Sequence, residues 1–282
     1  MIILYDIPTS VSDDLDRDWS PNVWKIRLVL NFKGLPHETR WVDYPQIREL
    51  CQAHEVSPGG RKPDGNMFYT VPIVHDSRTS VYISDSLRIA QYLELNYPHR
   101  PLFPVGLNAA ILSFEDLWLD KVLRHLFPLM ILPVYLKLPP ASQEYFRTTR
   151  ELRYKKKLED IAPLQDHSRL WDQVRRGLDS ISRYMDANGM KGLFWFGEEL
   201  TYADVVMVAW LVWVKRVLGR ETSEWRNILD WNDGRWGRLM EHFQQWEFVD
   251  KPRERSVNVI PVANKQFVLT QFVVGYDYEG IL

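Results

Sequence analysis

Apolar residues alternate along Ile2–Ile7, then recur at helical spacing through Pro21–Lys33, where Val23, Ile26, Val29 and Leu30 share one face. The pattern predicts a strand followed by an amphipathic helix, separated by the polar stretch Pro8–Asp18 with Asp13, Asp14, Asp16 and Asp18. His37–Val42 reads as a second strand and Pro45–His54 as a short helix; Ser57–Asn66, rich in glycine and proline, reads as a loop. Val71–His75 and Ser80–Ile83 read as a hairpin with Asp76-Ser77 in its turn. Asp85–Asn96 reads as a helix buried through Leu87, Ile89, Ala90 and Leu93. The order β-α-β-α-β-β-α predicts an α/β unit mixing parallel and antiparallel pairing. Beyond a proline-rich stretch the periodicity is helical only, over Asn108–Lys137, Ser142–Lys157, Asp166–Ala187, Tyr202–Leu218 and Trp236–Phe248. The predicted architecture is α/β plus all-α: an N-terminal domain over residues 1–97, a linker over 98–106 and an all-helical domain over 107–250. Residues 251–282 form an extension whose Phe267, Leu269, Phe272 and Tyr276 need an apolar surface to cover them.

Composition narrows the class of protein. With 45% hydrophobic and 26% charged residues, the 282-residue chain has the make-up of a soluble globular protein with a large core. Its formal charge of -2 gives no bulk attraction to nucleic acid or to an anionic membrane, and neither is expected as a partner. The apolar runs Leu126–Leu136 and Val205–Val214 fall short of the roughly 20 residues a spanning helix needs. The first residues lack a basic n-region and a long apolar run, so no signal peptide is expected and the protein is expected in the cytoplasm. The single cysteine, Cys51, excludes an internal disulfide framework and a thiolate-rich metal site, and it reads as a small buried filler. The histidines never fall at metal-ligand spacing, so no metal is expected. Gly59-Gly60-Arg61-Lys62-Pro63 lacks the ending of a phosphate-binding loop, and no nucleophile elbow is present. The basic run Arg150–Lys157 reads as a solvated helix face.

The most informative stretch is Trp19-Ser20-Pro21-Asn22-Val23-Trp24-Lys25, where the first helix opens. Ser20 suits an N-cap, accepting from a first-turn N–H, and Pro21 suits the first helical position. Unpaired N–H groups and the helix dipole make such an end a site for an anion. A hydroxyl there points to a bound thiolate or carboxylate rather than a protein nucleophile. Gly34 ends the helix where a left-handed residue is wanted. Thr201-Tyr202-Ala203-Asp204 is a capping box, with Leu200 and Val205 placed as a hydrophobic staple.

These residues carry a family resemblance over roughly residues 1–250. Ser20-Pro21, Val71-Pro72, Asp85-Ser86 and the box from Thr201 to Asp204, in that order, resemble the cytosolic glutathione transferases. The stretch from Trp19 to Lys25, with Leu30-Asn31-Phe32-Lys33-Gly34-Leu35, is similar to the serine-type, etherase-related, fungal-specific class A group and to bacterial β-etherases. The resemblance implies a thioredoxin-like, glutathione-binding N-terminal domain followed by the family's all-helical domain. It implies glutathione as co-substrate, a cis bond before Pro72, and Val71 pairing through its backbone with the cysteinyl unit. Ser86 and the helix end would bind the γ-glutamyl carboxylate, while Asp85 helps hold the ammonium group; Asp85-Ser86 also reads as an ordinary N-cap pair.

Ser20 would donate to the glutathione sulfur. One hydrogen bond to an ionised partner contributes ~1.5–3 kcal/mol, and one pKa unit corresponds to about 1.36 kcal/mol. That is enough to bring a thiol from about 8.5 towards neutrality. Asn22 would add a second donor or orient the electrophile. Serine in place of cysteine excludes the mixed-disulfide chemistry of thiol reductases. The expected activity is conjugation or ether cleavage on aromatic electrophiles with binding of phenolic ligands; the alternative is a non-catalytic carrier of hydrophobic or polyphenolic compounds. The electrophile pocket is expected near Pro21, Asn22, Phe114–Trp118 and His125. Arg40, Arg61 and Lys62 are the cations open for the glycyl carboxylate. Pro8–Asp18 reads either as a wall of that pocket or as a solvated insertion. A homodimer is expected, as in most relatives.

Overall fold

In the computed structural model, which describes residues 1–10, 17–61, 65, 67–189 and 192–250, the chain opens with strand β1 (Ile2–Asp6), buried along its whole length. Helix α1 (Pro21–Lys33) follows and ends on Gly34, whose φ of 69° is the left-handed value the sequence anticipates. Strand β2 (His37–Trp41) comes next. The predicted helix Pro45–His54 forms as a 3-10 turn over Tyr44–Gln46 running into α2 (Ile47–Ala53). Within the predicted loop, β3 (Gly60–Arg61) and β4 (Met67–Phe68) make a two-residue antiparallel ladder too short for any periodicity to announce. The hairpin strands are β5 (Ile73–Asp76) and β6 (Val81–Ser84), both lying slightly later in the chain than the pattern predicts. Helix α3 (Ser86–Asn96) then begins one residue late, with Asp85 outside it as N-cap. The sheet order is β2-β1-β5-β6, with β2 parallel to β1 and the other pairings antiparallel. This is the mixed, thioredoxin-like arrangement expected.

The second half is all-helical. The long helix expected over Asn108–Lys137 is α4 (Asn108–Trp118), a π-helical segment over Leu119–Leu123, and α5 (Arg124–Lys137). Pro128 and Pro133 both lie inside α5, where each removes one intrahelical donor. Helices α6 (Pro140–Tyr154) and α7 (Leu164–Asp186) follow, each starting two residues before its predicted start. Helix α8 (Tyr202–Leu218) matches its predicted span. Asp204 accepts from the Thr201 N–H at 2.8 Å, the reciprocal half of the capping box. Helix α9 (Ser223–Phe243) starts well before the predicted Trp236. It breaks at Trp231–Gly234, where Asn232, Asp233 and Gly234 take positive φ, and only its second half carries the apolar spacing that sequence reasoning detects. Asn232 holds the break by donating to Asp179 at 2.7 Å and accepting from the Trp236 indole at 2.8 Å. Among the described residues, no helix is long and apolar enough to cross a membrane.

The expectation of an amphipathic first helix fails in an instructive way. α1 lies between the sheet and α8, which is apolar and buried nearly all round, so the polar face of α1 is buried as well. Lys25 and Arg27 are fully buried, and Lys33 nearly so. Each is neutralised where it lies. Lys25 pairs with Glu115 of α4 at 3.0 Å and Arg27 with Asp6 of β1 at 2.8 Å. Lys33 pairs with Glu94 of α3 at 2.7 Å and also donates to the carbonyls of Tyr97, His99 and Arg100. The chain after α9 returns to the same helix: Asn31 donates to the carbonyls of Trp246 and Phe248, and Arg27 to that of Val249. A second contact between the halves runs through α6, where Ser142 bridges the Asp43 carboxylate and the Tyr44 N–H, and Tyr145 stacks on Tyr44.

Two outcomes test this packing. A methyl group at Gly177 of α7 would collide with the Lys121 carbonyl oxygen, so Gly177→Ala must push α7 away from the π-segment. It is expected to cost about 1–3 kcal/mol and lower the melting temperature by several degrees; an unchanged melting curve would show the crossing is looser than described. Glu115→Leu strips Lys25 of its carboxylate and is expected to cost about 3–5 kcal/mol, most of it recovered in the double variant Lys25→Met/Glu115→Leu. Equal stability of the two variants in urea would show that the pair does not act as a unit.

Candidate functional site

Three chain junctions meet at one end of the sheet. β1 leaves the sheet at Asp6 and the chain returns to start α1 at Pro21. Tyr5 pairs with Ile73 and Ile73 with Ser84, so Pro72 and Asp85 each lie one residue past the same rung. The starts of α1, β5 and α3 therefore converge, and the sequence-predicted residues Ser20, Asn22, Val71, Pro72, Asp85 and Ser86 all belong to these junctions.

Ser20 is 6% exposed and extended, with φ -64° and ψ 118°, and its side chain makes no capping hydrogen bond to the first turn. The N-cap role expected of the hydroxyl is therefore corrected: the backbone carbonyl accepts from the Trp24 N–H at 2.9 Å, but the hydroxyl is not consumed in capping. The N–H groups of the first turn lack intrahelical partners, so the hydroxyl and the helix end lie side by side at this corner. Asn22, in that same turn, is half-buried, and its Oδ1 is buried without a hydrogen-bond partner.

The Val71–Pro72 bond is cis. The Val71 carbonyl already accepts from the Thr70 hydroxyl at 3.0 Å, so it is less open than the sequence implies, although a carbonyl has a second lone pair. Asp85 adopts φ 79°, a conformation that costs a non-glycine residue of order 1–3 kcal/mol and persists only when the surroundings enforce it. Its Oδ1 caps α3 by accepting from the Arg88 N–H at 3.0 Å. Burial pushes its pKa up, the Glu115 charge adds to that, and the Arg88 N–H and Lys25 oppose it. Ser86 is the first residue of α3 and is buried.

The other expected residues have surroundings of their own, although Glu115, within the expected stretch Phe114–Trp118, lies close enough to act on Asp85. Phe114 and Trp118 belong to the core, 1% exposed each, and Phe114 packs on Trp195 at 4.5 Å. His125 lines a cavity of about 320 Å³ with Asp120, Lys121, Arg124, Gln173, Arg176, Gly177 and Ser180, in the helical half beside the π-segment. Burial lowers its pKa. Arg40 is a half-exposed residue paired with Glu38 at 3.3 Å on β2. The Arg61 side chain and Lys62 lie outside the described residues, as do Asp13, Asp14, Asp16 and the whole extension after Asp250. Cys51 is fully buried and burial pushes its thiol up to about 11, so it is the inert filler expected.

Sequence reasoning misses the charges behind the corner. Asp18 reads along the chain only as part of an acidic loop, yet it is fully buried and neither of its carboxylate oxygens is hydrogen-bonded. Arg216 of α8 lies 3.4 Å away. Burial pushes the Asp18 carboxyl up to about 7, with Arg216 and Arg27 pulling it down and Asp6 adding to the rise. The one signal in the sequence is Lys215-Arg216 closing an otherwise apolar helix.

Comparison with known proteins gives concordant matches. The glutathione S-transferase N-terminal domain family matches residues 19–95, and the C-terminal domain family matches residues 109–246. The glutathione S-transferase-like protein ustS of Aspergillus flavus is 32% identical over 247 residues, covering 82% of this chain and 85% of that protein. A glutathione S-transferase of Ceriporiopsis subvermispora, solved in complex with glutathione, superposes with a TM-score of 0.84 at 38% identity, covering 89% of this chain and 99% of that one. Glutathione transferase GSTFuA3 of Phanerochaete chrysosporium gives the same score and identity, covering 89% and 98%.

The buried Asp18 carboxyl has a consequence for stability. Its folded pKa lies above the unfolded value of about 4, so the folded chain keeps a proton that the unfolded chain releases. The associated stabilisation is complete below about pH 4 and is lost as pH rises through about 7. Asp18→Asn cannot ionise, so the stability of the wild type relative to this variant should fall between about pH 4 and about pH 7 in urea titrations, and level off above that. A difference that stays level with pH would place the carboxyl pKa near its ordinary value.

Proposed function

The chain belongs to the glutathione S-transferase family, and on that premise we propose that Ser20 stabilises a glutathione thiolate for attack on aromatic or β-aryl-ether electrophiles. The observation that carries this reading is the Ser20 hydroxyl: nearly buried, at the positive end of α1, and not consumed in capping. A hydroxyl so placed donates to the sulfur, and the helix end adds its field. The corner suits the rest of the tripeptide. Val71 offers backbone to the cysteinyl unit, Ser86 and the start of α3 take the γ-glutamyl carboxylate, and the second oxygen of Asp85 faces its ammonium group. The enforced φ of Asp85 fits a side chain held for a ligand. Asn22 donates from its amide to the sulfur or to the leaving group.

In the reaction the thiolate sulfur forms a bond to the electrophilic carbon, and the leaving group, a halide or an aryl oxide, departs with the bonding pair. The work of the protein is to keep the sulfur ionised near neutral pH and to hold it at the carbon. The serine at position 20, together with fungal relatives named as GSTFuA enzymes, supports membership of the serine-type, etherase-related group. Binding of phenolic ligands, two-fold assembly and a cytoplasmic location belong to the same reading.

Ser20→Ala tests it. Loss of one hydrogen bond to the thiolate is expected to raise the pKa of the bound thiol by about one to two units. Turnover of a chlorinated aromatic or a β-aryl ether below neutral pH should fall about 10-fold or more. Rates that match the wild type would remove the serine from the mechanism. Phenolic binding without turnover in the wild type would make the protein a carrier.

A further inference from the structure

We propose that Asp18 is a positioning residue for Ser20: its carboxylate, paired with Arg216 across the domain boundary, holds the turn that presents the serine hydroxyl. The proposal rests on the role given to Ser20 above.

The geometry forms a closed unit. Asp18 precedes Ser20 by two residues and bridges back to Pro8, while Arg17 accepts through its carbonyl from the Thr9 N–H at 3.1 Å. The Asp18 carbonyl accepts from the Trp24 indole at 2.8 Å, and the Trp24 N–H donates to the Ser20 carbonyl at 2.9 Å. Trp24 thus fastens Asp18 and Ser20 to one residue. The guanidinium carbons of Arg27 and Arg216 each lie 5.5 Å from the Trp24 ring centre, so the indole is held by a cation from each half of the protein. Arg216 reaches Asp18 at 3.4 Å and Glu247 at 3.2 Å, and Glu247 also pairs with Lys215. Arg27 binds Asp6, the Thr39 hydroxyl and the Val249 carbonyl. Among the described residues, the charged groups acting on Asp18 are Arg216 from α8, Arg27 from α1 and Asp6 from β1.

Energetics argue that this carboxylate does more than fill space. Burying an ionised carboxylate costs several kcal/mol, and a contact at 3.4 Å without hydrogen bonds returns little of it. A neutral residue of the same shape would be less costly, so what the charge adds is registry: it ties the turn before Ser20 to a helix of the other domain. A donor to a thiolate must sit within a few tenths of an ångström of its place, because hydrogen bonds weaken steeply away from ideal length and angle. Burial pushes the Asp18 carboxyl up to about 7, so the charge that fixes the turn is itself sensitive near neutral pH.

The sign of one measurement decides the matter. If Asp18 acted on the sulfur only through space, removing its negative charge would favour the thiolate and lower the pKa of bound glutathione. If it positions Ser20, removing it weakens the hydroxyl–sulfur bond and raises that pKa. The experiment follows the ultraviolet absorbance of the bound thiolate against pH in wild type, Asp18→Asn and Arg216→Lys, with S-methylglutathione affinity measured by calorimetry. The expected result is a rise of about half to one pH unit in Asp18→Asn, a smaller rise in Arg216→Lys, and affinity for S-methylglutathione kept within about two-fold. Should Asp18→Asn fail to fold, Arg216→Lys carries the test alone. An unchanged or lowered thiol pKa in a folded variant overturns the proposal. If the wild type itself does not lower the thiol pKa, the role of Ser20 fails first and this inference falls with it. A lowered value that persists in both variants overturns the inference alone.

Discussion

A helix that opens the candidate site at its N-terminus and is buried on nearly every side has to neutralise each charge it carries. α1 meets this constraint with partners drawn from all around it: Asp6 from the sheet, Glu94 from α3, Glu115 from α4 and the backbone after α9. Because the desolvated charges cannot be left unpaired, the helix has one tolerated position between the sheet and α8. The two halves of the protein thus share one element, and the site at the head of that element inherits its placement from the domain contact.

The same logic explains why the site sits at a single sheet end. A strand that exits at Asp6, a helix that begins at Pro21 and a hairpin that hands Ser84 on to α3 bring three chain starts together. Helix starts contribute N–H groups, and the junctions contribute side chains displaced from regular structure. Ser20 is not used for capping and Asp85 is held at positive φ; both are departures from local preference sustained by the packing around them. α6 reinforces the arrangement from the far side by clasping the turn at Asp43-Tyr44.

Much of the framework is legible along the chain. Pro21 and Gly34 bracket α1, and Thr201 and Asp204 open α8; the strand expected over Ile2–Ile7 forms, though β1 is buried at every position rather than on one face. These signals are local, since each depends on a few neighbouring side chains and backbone groups. The first half of α9 is hidden because its break at Trp231–Gly234 is held by Asp179 of α7, far away in sequence. The π-segment and the Gly177 crossing beside it are equally hidden, since they answer to the approach of two helices. Phe114 and Trp118 suggest pocket walls because an aromatic residue reads alike in a core and in a cleft.

Capping, periodicity and proline chemistry act over a few residues, so the order of elements and the starts of α1, α4 and α8 can be read from the chain alone. Which charges are buried cannot. Lys25, Arg27, Asp18 and Arg216 look like ordinary surface residues in the chain, and their meaning arises when α8 closes over α1. Burial is a property of neighbours brought together by folding, and electrostatic strength follows burial. The Ser20 hydroxyl at the start of α1 is visible in the sequence, whereas the buried charges packed behind it come together only once the two halves have packed.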